Sequence, residues 1–210
     1  MLEYQTTRGE VIEKGVSLEA GISGLIGMLL DIDVENSLSL GSKNTSLSLN
    51  AKVNLLSDLK FVPKEIIWQF QTFAEIRNKF AHVQSVDSFV KCFEILADKK
   101  NKFIKTFGGN IGDEVEEEVK LSVCFSFLCM SLGLWLDLIL KKTVFNKEQD
   151  FKKVVVVETL RNFFKIPEDQ KDIVKKQLMW VDKLIQDIEV DNDFVESIEH
   201  VRKQIQNKGE

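Results

Sequence analysis

The chain has 210 residues, a net charge of −5 and a sequence pI near 5.3, a balance that argues against a dedicated duplex-DNA binder, whose domain is normally basic on one face. Hydrophobic residues make up 44% and include 15 Phe, enough for a substantial core in one domain or two small ones. Only 11 Gly and 2 Pro interrupt it, which favours long helices over a loop-rich all-β architecture, so the expected fold class is all-α.

The first expected helix runs from about Glu10 to Asp31. Val11, Leu18, Ile22, Leu25, Ile26 and Leu29 recur at helical spacing, while Gly15, Gly21, Gly24 and Gly27 thin its surface and permit close approach of a neighbour. No phosphate loop is present, because no strand precedes these glycines and no Gly-Lys-Ser follows. The stretch from Ile32 to Leu49 is ambiguous. Ser37–Leu40 and Ser46–Leu49 alternate around Gly41–Asn44, which suits a small hairpin or a polar loop; a short helix from Ser46–Ser48 to about Leu59 then follows.

Pro63 and Glu65 open the next helix, expected to reach His82. With Ile66 at zero and about 100° per residue, Phe70, Phe73, Phe80 and Gln84 fall within about 40° of it, and Arg77 lies about 20° from the centre of that stripe. A guanidinium there needs a partner. Asn78 and His82, four residues apart, share a neighbouring face. From spacing alone a structural role is open: an Arg paired with a carboxylate such as Glu75, and a His at a helix end.

Ser85–Ser88 reads as a fresh helix start, with Phe89, Phe93, Leu96 and Phe103 carrying the pattern to about Phe107. Lys99, Lys100, Lys102 and Lys105, interleaved with Phe103 and Phe107, suit either a solvated face or contact with a nucleic-acid backbone. Gly108–Gly112 breaks the chain. Asp113, Glu114, Glu116, Glu117 and Glu118 then crowd the first turns of a helix that should continue to about Lys142, where negative charge suits the macrodipole. Its run from Leu121 to Leu136 carries no charge but falls short of the about 20 residues needed to span a bilayer, so a central helix buried on most sides is expected. Further helices are expected over Lys147–Phe164, Pro167–Ile188 and Asn192–Gln206. Arg161-Asn162 has no His after it at the distance that separates Arg77 from His82.

Cys92, Cys124 and Cys129 lie in apolar helical sequence with no metal-ligand spacing and read as reduced thiols of a cytoplasmic protein. His82 and His200 are the only histidines, which leaves no His-rich zinc site. No signal peptide and no membrane anchor are expected.

The stretch Glu75-Ile-Arg-Asn-Lys-Phe-Ala-His82, approached by Asn50–Leu59 and followed by Ser85–Phe89, resembles the Arg-polar-x-x-x-His signature of the HEPN superfamily, and in particular the branch that contains the mannitol operon repressor. The likeness covers about residues 10–107. It implies an up-down helical bundle, set here over residues 1–142; residues 143–210 share no such likeness and are expected as a helical extension packing on the bundle, to cover the motif, form a dimer surface or contact a partner. It also implies a homodimer in which Arg77, Asn78 and His82 of both copies surround one cleft and cut RNA without metal or cofactor, leaving 2′,3′-cyclic phosphate ends. His82 would be general base or acid, Arg77 would stabilise phosphoryl charge, and Asn78 would orient His82 or donate to the phosphate. Such nucleases serve as toxins or in phage defence, so an antitoxin is an implied partner. The same branch also implies a different class, a non-catalytic regulator or interaction module bound to a regulatory protein.

Overall fold

The computed structural model describes residues 2–41, 45–109, 111–112, 114–163 and 183–206. The fold is all-α, with no strand among the described residues. The chain divides into two compact units, Met1–Leu140 and Lys141–Glu210.

In the first unit α1 spans Leu2–Leu30, α2 Leu49–Asp58, α3 Lys64–His82, α4 Phe89–Ile95 and α5 Ala97–Phe107, and α6 begins at Glu117. Helix α1 starts well before Glu10, since nothing in residues 2–9 breaks it. It stops where Asp31 turns left-handed (φ 53°) and Ile32 donates its N–H to the Gly27 carbonyl at 2.9 Å. The described part of the segment from 31 to 48 is a loop rather than a hairpin, pinned by Leu47 N–H to the Ser39 carbonyl (2.8 Å) and by the buried Leu40; residues 42–44 lie outside the described residues. Ser48 caps α2 by accepting from Ala51 N–H.

One helix was expected from Ser85 to Phe107, but two are found. Leu96 leaves helical geometry (φ −100°, ψ 38°), and the bend lets Phe93 of α4 stack on Phe103 of α5 with centroids 4.7 Å apart. The acidic run before α6 also differs from expectation. The helix begins at Glu117, not Asp113, and Glu118 accepts from the N–H groups of Phe89 and Val90, both at 2.8 Å. That carboxylate therefore caps α4, alongside the Ser88 hydroxyl, rather than serving only its own helix.

The core of this unit is aromatic. Phe70 meets Trp135 edge-on at 5.3 Å, Phe73 stacks on Phe125 at 5.7 Å, and Phe80 and Phe125 both contact Phe89. Helix α6 is thereby held against α3 through its buried face, which includes Leu121, Cys124, Phe125, Leu128, Leu132 and Trp135. It is not buried on most sides, however: Phe127, Met130, Leu134 and Leu138 are exposed. By length and composition it is also apolar enough to cross a membrane, a property shared with core helices of globular proteins.

Helix α6 continues without interruption to Phe163; the expected break between Lys142 and Lys147 is absent because Thr143–Asn146 contains no Gly or Pro. In the second unit its C-terminal part is accompanied by α7, Asn192–Gln206, around Val156, Ile188 and Phe194. Gln149 donates to the Asp187 carbonyl and accepts from Glu189 N–H. Asp191 caps α7 by accepting from Phe194 N–H at 2.8 Å, and its ion pair with Lys153 together with that hydrogen bond holds the carboxyl below the usual range. The expected helix Pro167–Ile188 lies, up to residue 182, outside the described residues.

Candidate functional site

Helix α3 supplies all three motif residues, and its start explains their height in the unit. Pro63 accepts from Ile66 and Ile67 N–H groups at 3.0 and 3.1 Å, and the last turn closes with Val83 N–H on the Lys79 carbonyl. The buried face comprises Phe70, Phe73, Ile76 and Phe80, with Thr72 beside them. It also takes in Ala74 and is broader than the expected stripe. Arg77 lies within that arc but is only half-buried, and Gln84, placed on the stripe by periodicity, is exposed beyond the end of the helix.

Arg77 faces α1, which runs antiparallel to α3. Its stem crosses Gly15 so closely that a Cβ there would sit 3.0 Å from Arg77 Cγ and 3.3 Å from Nε. The glycine is thus the space the guanidinium needs. Nη1 donates to Asn78 Oδ1 at 3.1 Å, and Nη2 lies 3.7 Å from Glu19 Oε2. Glu19 is shared, since its Oε1 also accepts from Lys52 Nζ of α2 at 2.9 Å. The Lys52 side chain is only 2% exposed, so Glu19 is the counter-charge that makes its burial tolerable. Glu75, the partner expected for Arg77, instead pairs with Lys99 of α5.

Asn78 and His82 are both exposed, one turn apart on the outward side of α3. No hydrogen bond joins them, so Asn78 orients Arg77 rather than His82 in this state. Beside them is a residue that sequence reasoning missed. Arg8 of α1 donates from Nη2 to the Ala81 carbonyl at 3.4 Å, which brings a second guanidinium next to His82. The antiparallel register of α1 on α3 produces this neighbour, and no local pattern around Arg8 announces it. Glu19 and Lys52 were missed for the same reason.

The lysines of α5 are largely committed within the unit. Lys99 and Lys100 pair with Glu75 and Glu117, and Lys102 stands over the Trp68 ring at 4.1 Å. Burial pushes the Cys92 thiol up to about 12 and that of Cys129 to about 11, so neither is a thiolate nucleophile. Among the described residues no three His, Cys, Asp or Glu side chains cluster so as to hold a metal ion. A groove of about 600 Å³ between α1 and α6, floored by Phe73 and Leu136, does not include Arg77, Asn78 or His82. Asn78 and His82 stand on the open surface, and Arg77 is half-buried behind them.

Comparison of the chain with protein-family models, with curated proteins and with solved structures finds no match. What the arrangement can do therefore rests on its own chemistry. Two guanidinium groups, a carboxamide and an imidazole share one end of α3, a set suited to hold an anionic oxygen and move a proton beside it. Glu19 behind Arg77 limits how much positive charge is offered.

Proposed function

We propose that this chain is a HEPN-superfamily protein, akin to the branch of the mannitol operon repressor, and that it acts on RNA as a metal-independent endoribonuclease of the toxin or defence type. The observation that carries this reading is that Asn78 and His82 are exposed one turn apart on α3, with Arg77 bonded to Asn78 and Arg8 bonded to the Ala81 carbonyl that precedes His82. His82 would take the proton of a ribose 2′-hydroxyl or give one to the departing 5′-oxygen. The 2′-oxygen bonds to phosphorus as the P–O5′ bond breaks, leaving a 2′,3′-cyclic phosphate and a 5′-hydroxyl. Arg77 would neutralise charge building on the phosphoryl oxygens. Because Asn78 and His82 are on an open surface rather than in a cleft, a second copy facing them would enclose the phosphate, as the homodimer of the resemblance requires.

The test is cleavage of single-stranded RNA by the full chain in EDTA. Cleavage yielding cyclic phosphate ends is expected, with loss of about 100-fold or more in His82→Ala and Arg77→Ala proteins of unchanged helix content. Equal cleavage by wild type and both variants would overturn the assignment.

One observation favours a second reading, a non-catalytic regulator or interaction module. Arg77 is already bonded to Asn78 and faced by Glu19, the engagement expected of a structural residue. No cleavage by either the wild type or a Glu19→Gln protein, in which the carboxylate no longer competes for Arg77, would select it.

A further inference from the structure

The end of α3 explains where Arg8 is held. The last carbonyls of a helix have no partner within it, and together they form the negative end of the macrodipole. In α3 the Lys79 carbonyl accepts from Val83 N–H, and the Ala81 carbonyl accepts from Arg8 Nη2 at 3.4 Å. The guanidinium is thereby anchored next to His82 through a neutral oxygen. A guanidinium has five N–H donors, and among the described residues no carboxylate pairs with this one.

The two guanidinium groups near His82 therefore differ in what stands behind them. Arg77 has the Glu19 carboxylate 3.7 Å from Nη2, which offsets its charge, and it gives Nη1 to Asn78. Arg8, Gly15 and Glu19 fall within about 40° of one another on α1, so Arg8 shares a face with that same carboxylate. Glu19 lies about 16 Å further along the axis, however, beyond the roughly 8 Å screening length of physiological salt, and is already matched by Lys52.

The other charges nearby do not change this. Glu10 and Glu13 lie about 160° and 140° round α1 from Arg8, and Glu10 pairs with Lys14. Glu75 of α3 pairs with Lys99, and Asp87, after the helix, pairs with Lys91. Lys79 lies about 160° round α3 from Ala81, and its charge acts on the Cys92 thiol. An anion arriving at the exposed end of α3 thus meets one cation with no counter-charge, Arg8, next to an imidazole able to move a proton.

We propose that Arg8 is the phosphate-binding residue of this corner, holding an RNA backbone phosphate beside His82 through an ion pair already formed in the bound state. This rests on the nuclease reading and adds a division of labour to it. Arg8 sets affinity, and His82 sets rate.

The test separates binding from cutting. Fluorescence anisotropy of the full chain with a labelled single-stranded 2′-O-methyl oligonucleotide, from about 50 to about 200 mM salt, reads affinity without cleavage. Arg8→Gln keeps a donor for the Ala81 carbonyl but removes the charge. It should weaken binding about tenfold and lower the slope of log affinity against log salt by about 0.7, the share of one phosphate contact on a single strand. Arg8→Lys keeps the charge and should restore the slope. With cleavable RNA, Arg8→Gln should raise KM about tenfold and change kcat less than about twofold, the reverse of His82→Ala.

An Arg8→Gln protein of unchanged helix content that binds with wild-type affinity and salt slope would overturn the proposal and leave Arg8 as a cap on α3. A wild type that does not bind the oligonucleotide would overturn it as well. Binding that depends on Arg8, in a chain that cuts no RNA, would instead remove the nuclease reading and leave the phosphate site standing.

Discussion

Arg77 and His82 belong to the same helix and the same short motif, yet the fold treats them oppositely. Arg77 is drawn into a polar seam in which Glu19 of α1 bridges it to the buried Lys52 of α2. His82, little more than one turn further on, reaches open surface beside Arg8. The difference teaches that a motif read along one helix is divided by whatever packs against that helix. In the seam, charge is constrained by burial, so each group is matched; at the outer corner solvent screens the groups, and they are available to something else.

Breaking the inner side should have the largest effect. Glu19→Ala leaves Lys52 buried without its carboxylate and is expected to cost about 3 kcal/mol in urea unfolding, with Lys52→Met on the same background recovering much of the loss. Next comes the thiol on the buried face of α4. Cys92 has its pKa raised from 9.0 to about 12 by burial, so the unfolded chain ionises first and the folded state gains nothing from this group below pH 9. Stability should therefore fall as pH rises from about 9 toward 12, and less steeply in Cys92→Val, measured by thermal melts across that window. The smallest effect is expected at the outer corner. His82→Ala should change unfolding free energy by no more than about 0.5 kcal/mol. A loss of several kcal/mol there would show that His82 is structural and would erase the contrast with Arg77.

Several features were legible in the residues themselves. The span of α3 follows from Pro63 and the spacing of its phenylalanines, and the starts of α2 and α4 from Ser48 and Ser88. The all-α class follows from the scarcity of Gly and Pro. The split at Leu96 was not legible, since no breaker stands there and the bend is fixed by Phe93 meeting Phe103. Nor was the role of Glu118, whose nearest sequence context is its own helix while its hydrogen-bond partners are on α4. Periodicity placed Arg77 near the centre of an apolar stripe, and packing left it there as a half-buried group facing Glu19.

Local sequence determined where most helices begin, which residues share a face, and that Arg77, Asn78 and His82 crowd one end of α3, because these depend on a repeat of 3.6 residues and on short-range capping. Tertiary structure alone decided that Gly15 makes room for Arg77, that Glu19 is its counter-charge, that Arg8 stands beside His82, and that Phe127, Met130, Leu134 and Leu138 of α6 stay outside the core. The physical reason is that each of these is a contact between residues far apart in the chain. Its energy exists only once antiparallel packing has set the register of one helix against another.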